Sequence, residues 1–249
     1  MKINKREYSI NIGRGVGNDL EDLLLNAKKR IWIVSPWISK KYASLLLKKH
    51  QEGVDVKLIT TTSYNNTKHI DAVNSLIGQK ALVDKDAFLE FKKNRNLIGG
   101  VCGLFFFLSL IAKSLFFFFL SAFLLTIYFT YKKNVGCYEY NSPFPLKVCK
   151  TIYSDHCPND FIHSKIYLID NSGAVGSANL TEAGLWNNVE TFVTLKNKEV
   201  VVALEKEFEM LFKHPLLSEK NLQELGEHIY QTHNTSLVAS GAGVNSSSR

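Results

Sequence analysis

"FIHSKIYLIDNSGAVGSANLT", residues 161–181, decides how this chain is read. Two apolar runs flank an Asn-Ser-Gly turn, the pattern of paired strands. The first run carries His163 and Lys165 where packing wants apolar residues, and the second ends in Gly176-Ser177-Ala178-Asn179. Strand residues two apart share a face, so His163 and Lys165 project together, as do Ser177 and Asn179. Ile162, Ile166 and Leu168 fall to the core. If the runs pair, an imidazole, an ammonium, a hydroxyl and a carboxamide converge at one strand end. That set suits a phosphodiester. Lysine neutralises nonbridging oxygens, serine and asparagine donate hydrogen bonds, and histidine supplies a nucleophile or a proton. Gly176 lets backbone approach the phosphate closely. A solvated strand edge would carry a lone His-x-Lys pair equally well.

Outward from this stretch the soluble parts alternate. "IWIVSPWIS", residues 31–39, reads as a buried strand leaving into a loop, and "VDVKLITTT", 54–62, as another. Between them, "KKYASLLLKKHQEG" has helical spacing with Gly53 as its stop. Residues 65–96 read as helix, broken at Gly78. "CYEYNSPFPLKVCKTIYSD" suggests an edge strand limited by Pro143 and Pro145. "NNVETFVTL" is a strand, "NKEVVVALEKEFEMLFKHP" an amphipathic helix, and "SEKNLQELGEHIYQTH" a further helix. No internal repeat is visible. This order predicts an α/β sandwich. The early residues offer two clear strands, too few for a core, so both halves of the chain are expected in one discontinuous domain, 1–94 with 133–232. Residues 233–249 are small and polar and read as a flexible tail.

The insert is residues 97–131, "LIGGVCGLFFFLSLIAKSLFFFFLSAFLLTIYFTY", with Lys113 as its one charge in 35 residues. Split there, the arms have 16 and 18 residues, slightly short of the about 20 that span a bilayer core. A hairpin over 95–132 is expected, either crossing a thinned bilayer or dipping in and returning, with Lys113 snorkelling to headgroups. Runs such as Phe116 to Phe119 leave no polar face and argue against a buried pair of core helices. Both flanks are basic, which predicts a cell-membrane protein with its catalytic domain on the cytoplasmic side. The chain's net charge of +7 is mostly this flank: setting aside Lys92, Lys93, Arg95, Lys113, Lys132 and Lys133 leaves +1. The charge therefore says little about substrate.

The amino-terminal "MKINKREYSINIGRG" lacks the apolar core of a secretion signal. Cys102, Cys137, Cys149 and Cys157 show no CxxC pairing, so free thiols in a reduced compartment are expected. Cys149, His156, Cys157 and His163 match no familiar zinc spacing.

His163-x-Lys165, four residues, Asp170, then Gly176-Ser177-x-Asn179 resembles the signature of the phospholipase D superfamily. The likeness extends through "GSANLTEAGLWNNVE", 176–190, and loosely to "IWIVSPWIS", and is to the nuclease-like branch with a single motif. Five residues separate Asp170 from Gly176 where many members have six. The resemblance implies a phospholipase D-like α/β/α sandwich with a mixed sheet. It implies His163 as the nucleophile that forms a covalent phosphohistidine, Lys165 and Asn179 as the phosphate clamp, and Ser177 as a weaker member. Asp170 is implied to be structural, and Glu190 to hold the imidazole through its other nitrogen. A second histidine must protonate the leaving oxygen, and His50, His69, His156, His214, His228 and His233 all lack a His-x-Lys context. A homodimer with both His163 side chains at the two-fold axis is therefore expected, with no metal and no other cofactor. The expected activity is that of a membrane-anchored phosphodiesterase, a nuclease before a phospholipid phosphodiesterase or transferase. A non-catalytic scaffold is the lesser alternative.

Overall fold

The computed structural model describes residues 2–4, 7–151, 162–230, 236–240 and 243–247. Its strands are β1 (Lys2–Asn4), β2 (Tyr8–Gly13), β3 (Arg30–Val34), β4 (Asp55–Thr61), β5 (Gly78–Val83), β6 (Lys133–Asn134) and β7 (Gly136–Asn141). They continue with β8 (Leu146–Cys149), β9 (Ile166–Ile169), β10 (Ser172–Gly176), β11 (Glu190–Leu195), β12 (Ser236–Ser240) and β13 (Gly243–Ser247). The α-helices are α1 (Asn18–Asn26), α2 (Lys40–Gln51), α3 (Thr67–Asn74), α4 (Lys85–Ala112), α5 (Leu115–Thr130), α6 (Lys198–Phe212) and α7 (Glu219–Tyr230).

Eight strands form one mixed sheet in the order β1-β2-β11-β10-β9-β3-β4-β8. β3, β4 and β8 run parallel, and the other pairings are antiparallel. Strands from before and after the apolar insert interdigitate: β2 lies beside β11, β3 beside β9, and β4 beside β8. Neither part could close the sheet alone. Alternation fixes the faces. Trp32, Val34, Ile59 and Leu168 meet Val201 and Phe208 of α6 on one side, with Trp32 and Phe208 stacked at 5.4 Å. Ile31, Ile33, Leu58 and Tyr167 point the other way and are fully buried, as are Leu20 and Leu24 of α1 and Tyr42 of α2. Helices thus cover the core on both faces, the α/β class expected. β8 ends the sheet, consistent with the prolines that precede it.

Two compact units emerge, Met1–Gly78 with Tyr140–Ile229 and Gln79–Glu139 with Tyr230–Arg249. The first is narrower than the expected 1–94 with 133–232. The reason is local: residues flanking the insert belong with it. β5 pairs with β7, and Phe91 packs with Val135, Ala87 and Tyr131. Within this second unit the apolar run breaks at Lys113, which takes a left-handed φ of 46° and caps α4. α4 and α5 close where side chains are small. Cys102 Sγ donates to the Ser121 carbonyl at 3.3 Å, and Ser121 Oγ donates to the Cys102 carbonyl at 3.2 Å. The remaining faces expose Leu104, Phe107, Ile111, Phe116, Phe119 and Phe123. Among the described residues one helix, Lys85–Ala112, is long and apolar enough to cross a membrane, and α5 is shorter.

Three sequence readings differ from the structure. Residues 78–83 were expected to continue a helix and instead form β5. The β2 strand and the α1 helix, near the amino terminus, were not anticipated. The region read as a flexible tail contains β12 and β13, a hairpin that pairs with β6. Cys102, Cys137 and Cys149 are free thiols, while Cys157 lies outside the described residues, as does His156.

Candidate active site

The sheet gathers the chemistry-bearing residues at one end. β3, β4 and β8 finish there, β10 and β2 finish there, and β9 and β11 begin there. Ligand sites of open α/β sheets favour this crevice beyond the carboxyl ends of parallel strands. His163 and Lys165 lie in the extended segment just before β9 rather than within a strand, and Ser177 and Asn179 lie in the loop just after β10. Val175 is opposite Ile166 in the pairing of β10 with β9, so the two segments leave the sheet side by side.

His163 is exposed and Lys165 is 6% exposed. Lys165 Nζ donates to the His163 carbonyl at 2.6 Å and sits 3.2 Å and 3.4 Å from the two ring nitrogens. An ammonium in that position donates to a ring-nitrogen lone pair. Burial lowers the Lys165 pKa, and the nearby Glu190 charge opposes this without overcoming it.

The Glu190 carboxylate accepts from Ser177 Oγ in a short contact and from Asn188 Nδ2 at 3.3 Å. This departs from the expectation that Glu190 grips the imidazole. Lys165 lies against the imidazole, and the Ser177 hydroxyl, at the adjoining strand end, takes the carboxylate. Ser177 Oγ also accepts from the Thr191 amide at 3.0 Å, so its hydroxyl ties β10 to β11 and does not point freely at a ligand.

Asn179 is different. Its Oδ1 is buried without a hydrogen-bond partner. Buried polar atoms are nearly always paired, so this unpaired oxygen is a place for a hydrogen-bond donor. The backbone of this loop is held hard. Tyr167 Oη donates to the Ala178 carbonyl at 2.7 Å, and burial pushes the Tyr167 pKa up. A Cβ on Gly184, in the π-helical turn Ala183–Asn187, would fall 2.6 Å from the Asn179 carbonyl. Gly176 also answers a close approach, but to protein: a Cβ there would fall 2.2 Å from the Thr191 carbonyl. The expected phosphate approach is not what demands glycine at this position.

Asp170 sits at the other end of β9, in a turn with φ of 49°. It accepts from the amides of Lys29 at 2.7 Å, Lys28 at 3.0 Å and Arg30 at 3.1 Å. Burial pushes its carboxyl up, but those amides outweigh it and hold the pKa below the ordinary value. It takes no part in the cluster around His163.

Three residues that sequence reasoning missed support the site. Ser35 Oγ accepts from the Leu180 amide at 2.9 Å and donates to the Trp37 carbonyl at 2.6 Å. His69, buried, accepts from the Ile38 amide at 3.1 Å through Nδ1 and meets the Thr61 carbonyl at 2.8 Å through Nε2. Burial lowers the His69 pKa. The only signal for Ser35 and Trp37 was their place directly after a buried strand.

The mixed sheet sets a His-x-Lys pair beside a Gly-Ser-x-Asn loop at the ends of its parallel strands, an arrangement suited to binding a phosphodiester. Residues 128–212 match the family model described as "Cardiolipin synthase, PLD-like domain", a span that includes His163, Lys165, Asn179 and Glu190. Residues 128–212 are thus similar to a domain of the phospholipase D type, and the remainder of the chain lies outside that match. No curated protein sequence matches it. Among solved structures, NucT from Helicobacter pylori aligns with a TM-score of 0.47 at 12% identity, covering 83% of this chain and 96% of that one. Nuc from Salmonella typhimurium, described as a phospholipase D family member, gives 0.43 at 17% identity, covering 82% and 93%. A phosphatidylserine synthase from Haemophilus influenzae gives 0.41 at 13% identity, covering 90% of this chain and 45% of that one.

Proposed function

We propose that this chain is a membrane-anchored, metal-independent phosphodiesterase that cleaves nucleic acid through a covalent phosphohistidine. The observation that carries the reading is the contact of His163 with Lys165 at the strand end that also carries Asn179, whose Oδ1 is buried and unpaired. In the proposed reaction the substrate phosphate draws the Lys165 ammonium from the imidazole of His163, and the ring nitrogen so freed attacks phosphorus while the bond to the leaving oxygen breaks. Lys165 neutralises the nonbridging oxygens, and Asn179 Nδ2 donates a hydrogen bond to them. The leaving alkoxide takes a proton from the partner's His163, across the two-fold axis of a homodimer. That imidazole then removes a proton from water, which attacks phosphorus, breaks the P–N bond and regenerates His163.

The exposed phenylalanines of α4 and α5, and the basic residues at both ends of the apolar run, support insertion of residues 97–131 into a bilayer with the catalytic unit on the cytoplasmic side. A second reading, a phospholipid phosphodiesterase or transferase, is favoured by that same apolar hairpin and by the description of the matching family model. One experiment separates them. The full chain, purified in detergent with EDTA, is given labelled single-stranded DNA, RNA and a phospholipid panel in parallel. Cleavage of strands, its loss in His163→Ala, and its persistence in EDTA are expected. Full activity in His163→Ala would refute the mechanism, and turnover of lipid alone would move the substrate. Solubilisation from membranes by alkaline carbonate, without detergent, would refute the anchor.

A further inference from the structure

Trp37 is 44% exposed, and every other large exposed hydrophobic among the described residues of the unit that holds His163 is non-aromatic. An exposed indole is ordinarily free to move, but this one is pinned. Its Nε1 donates to Ser63 Oγ at 3.0 Å, Ser63 Oγ lies 2.6 Å from Thr61 Oγ1, and Thr61 Oγ1 donates to the Pro36 carbonyl at 2.9 Å. With Thr61 donating onward, Ser63 must be the donor to Thr61, and every proton in the relay has one place. The backbone on either side is fixed by Ser35 and His69. Ser35, Thr61, Ser63 and His69 are all buried. Four buried polar groups hold one solvent-facing ring, which packing of the sheet does not require.

Beside the ring is a cavity of about 450 Å³, lined by Trp37, Ser63, Asn65, Asn66, Thr67 and Lys68. Its place is fixed by the sheet. Ile38 bridges Leu180 in parallel, so Trp37 is level with Asn179. A rigid aromatic face, carboxamides at its border and an ammonium beyond are what a nucleobase and its flanking phosphate require. A diacylglycerol would use none of the amides. We propose that Trp37 is the stacking platform for the base adjoining the phosphate held at His163 and Lys165, which makes the substrate a single-stranded nucleic acid. Bases in a duplex are already stacked and present no free face. The inference rests on the phosphodiesterase reading above.

The test uses full-length His163→Ala protein in detergent, so that strands bind without being cut. Fluorescence anisotropy is followed with a short single-stranded oligonucleotide and with a series carrying one abasic site at each position. Loss of one stacked base costs about 5- to 150-fold in affinity. An abasic site at one position should weaken binding within that range, and in protein that also carries Trp37→Ala the same abasic site should cost nothing further. Trp37→Phe should retain most of the affinity, and its abasic scan serves if Trp37→Ala does not fold. Equal affinity for intact and abasic strands would overturn the proposal, and so would an abasic penalty that persists without Trp37. If wild-type protein stacks the base through Trp37 but leaves the strand whole, the catalytic reading fails while the platform stands.

Discussion

Asp170→Asn separates scaffolding from chemistry at this motif. The carboxylate places Oδ1 against the amides of Lys29 and Arg30, at 2.7 Å and 3.1 Å, and Oδ2 against that of Lys28 at 3.0 Å. Asparagine keeps one acceptor oxygen and turns an amino group toward the remaining amide. It also tolerates the left-handed φ of 49°, so backbone strain does not change. One hydrogen bond to a charged group is lost, worth about 1.5–3 kcal/mol. The turn is partly exposed and water can reach the freed amide, so the lower part of that range applies, about 2 kcal/mol. For a chain of this size that lowers Tm by roughly 4–8 °C. The pH dependence has a definite sign. Because the folded pKa is below the ordinary 3.8, the stabilisation is complete above that value and is lost as pH falls through the folded pKa. The gap between wild type and variant should therefore be widest near neutrality and close in acid. Thermal melts at both pH values measure it, with phosphodiester turnover per folded molecule measured alongside at 25 °C. Six residues of largely extended chain, roughly 20 Å, separate Asp170 from His163, so turnover should hold. An unchanged Tm with turnover down about tenfold, 1.4 kcal/mol in the barrier, would refute the argument.

Two further outcomes are expected. The His69 ring is held neutral by burial with its folded pKa below the ordinary 6.5, so its contribution is full above that value and fades as pH falls through the folded pKa. The stability difference between wild type and His69→Gln, from urea melts, should shrink on acidification, and a constant difference would refute the assignment. Gly184→Ala places a Cβ 2.6 Å from the Asn179 carbonyl, so it should displace the Asn179 loop and lower kcat, with a stability loss of about 1–3 kcal/mol for the overpacking. Unaltered kcat on nucleic acid would show that the loop accommodates it.

Much of the framework could be read directly from residues. β3 and β4 are β-branched and apolar, α2 ends at Gly53 with φ of 86°, and α6 carries a clear apolar stripe. β5, "GQKALV", has helix-forming residues and becomes a strand because β7 lies beside it, a tertiary effect that no local pattern records. At the site, the grouping of His163, Lys165, Ser177 and Asn179 was legible because these residues directly flank two strands that pair, β9 and β10. The partners were not. That Lys165 rather than Glu190 meets the imidazole, that Ser177 takes Glu190, and that Tyr167 and Gly184 brace the Asn179 loop all depend on which strand ends meet. His69 carried no sign of its role, since its contacts with Ile38 and Thr61 come from docking α3 against the end of β4 and the segment after β3.

The interdigitated sheet also sets an order of events during synthesis. β3 and β4 leave the ribosome long before β9, which must lie against β3, and β2 must wait for β11, most of the chain later. Such distant pairings are slow to form. The apolar helices α4 and α5 are made in the interval, while the sheet still has open strand edges, and those edges close only as residues 166–195 arrive.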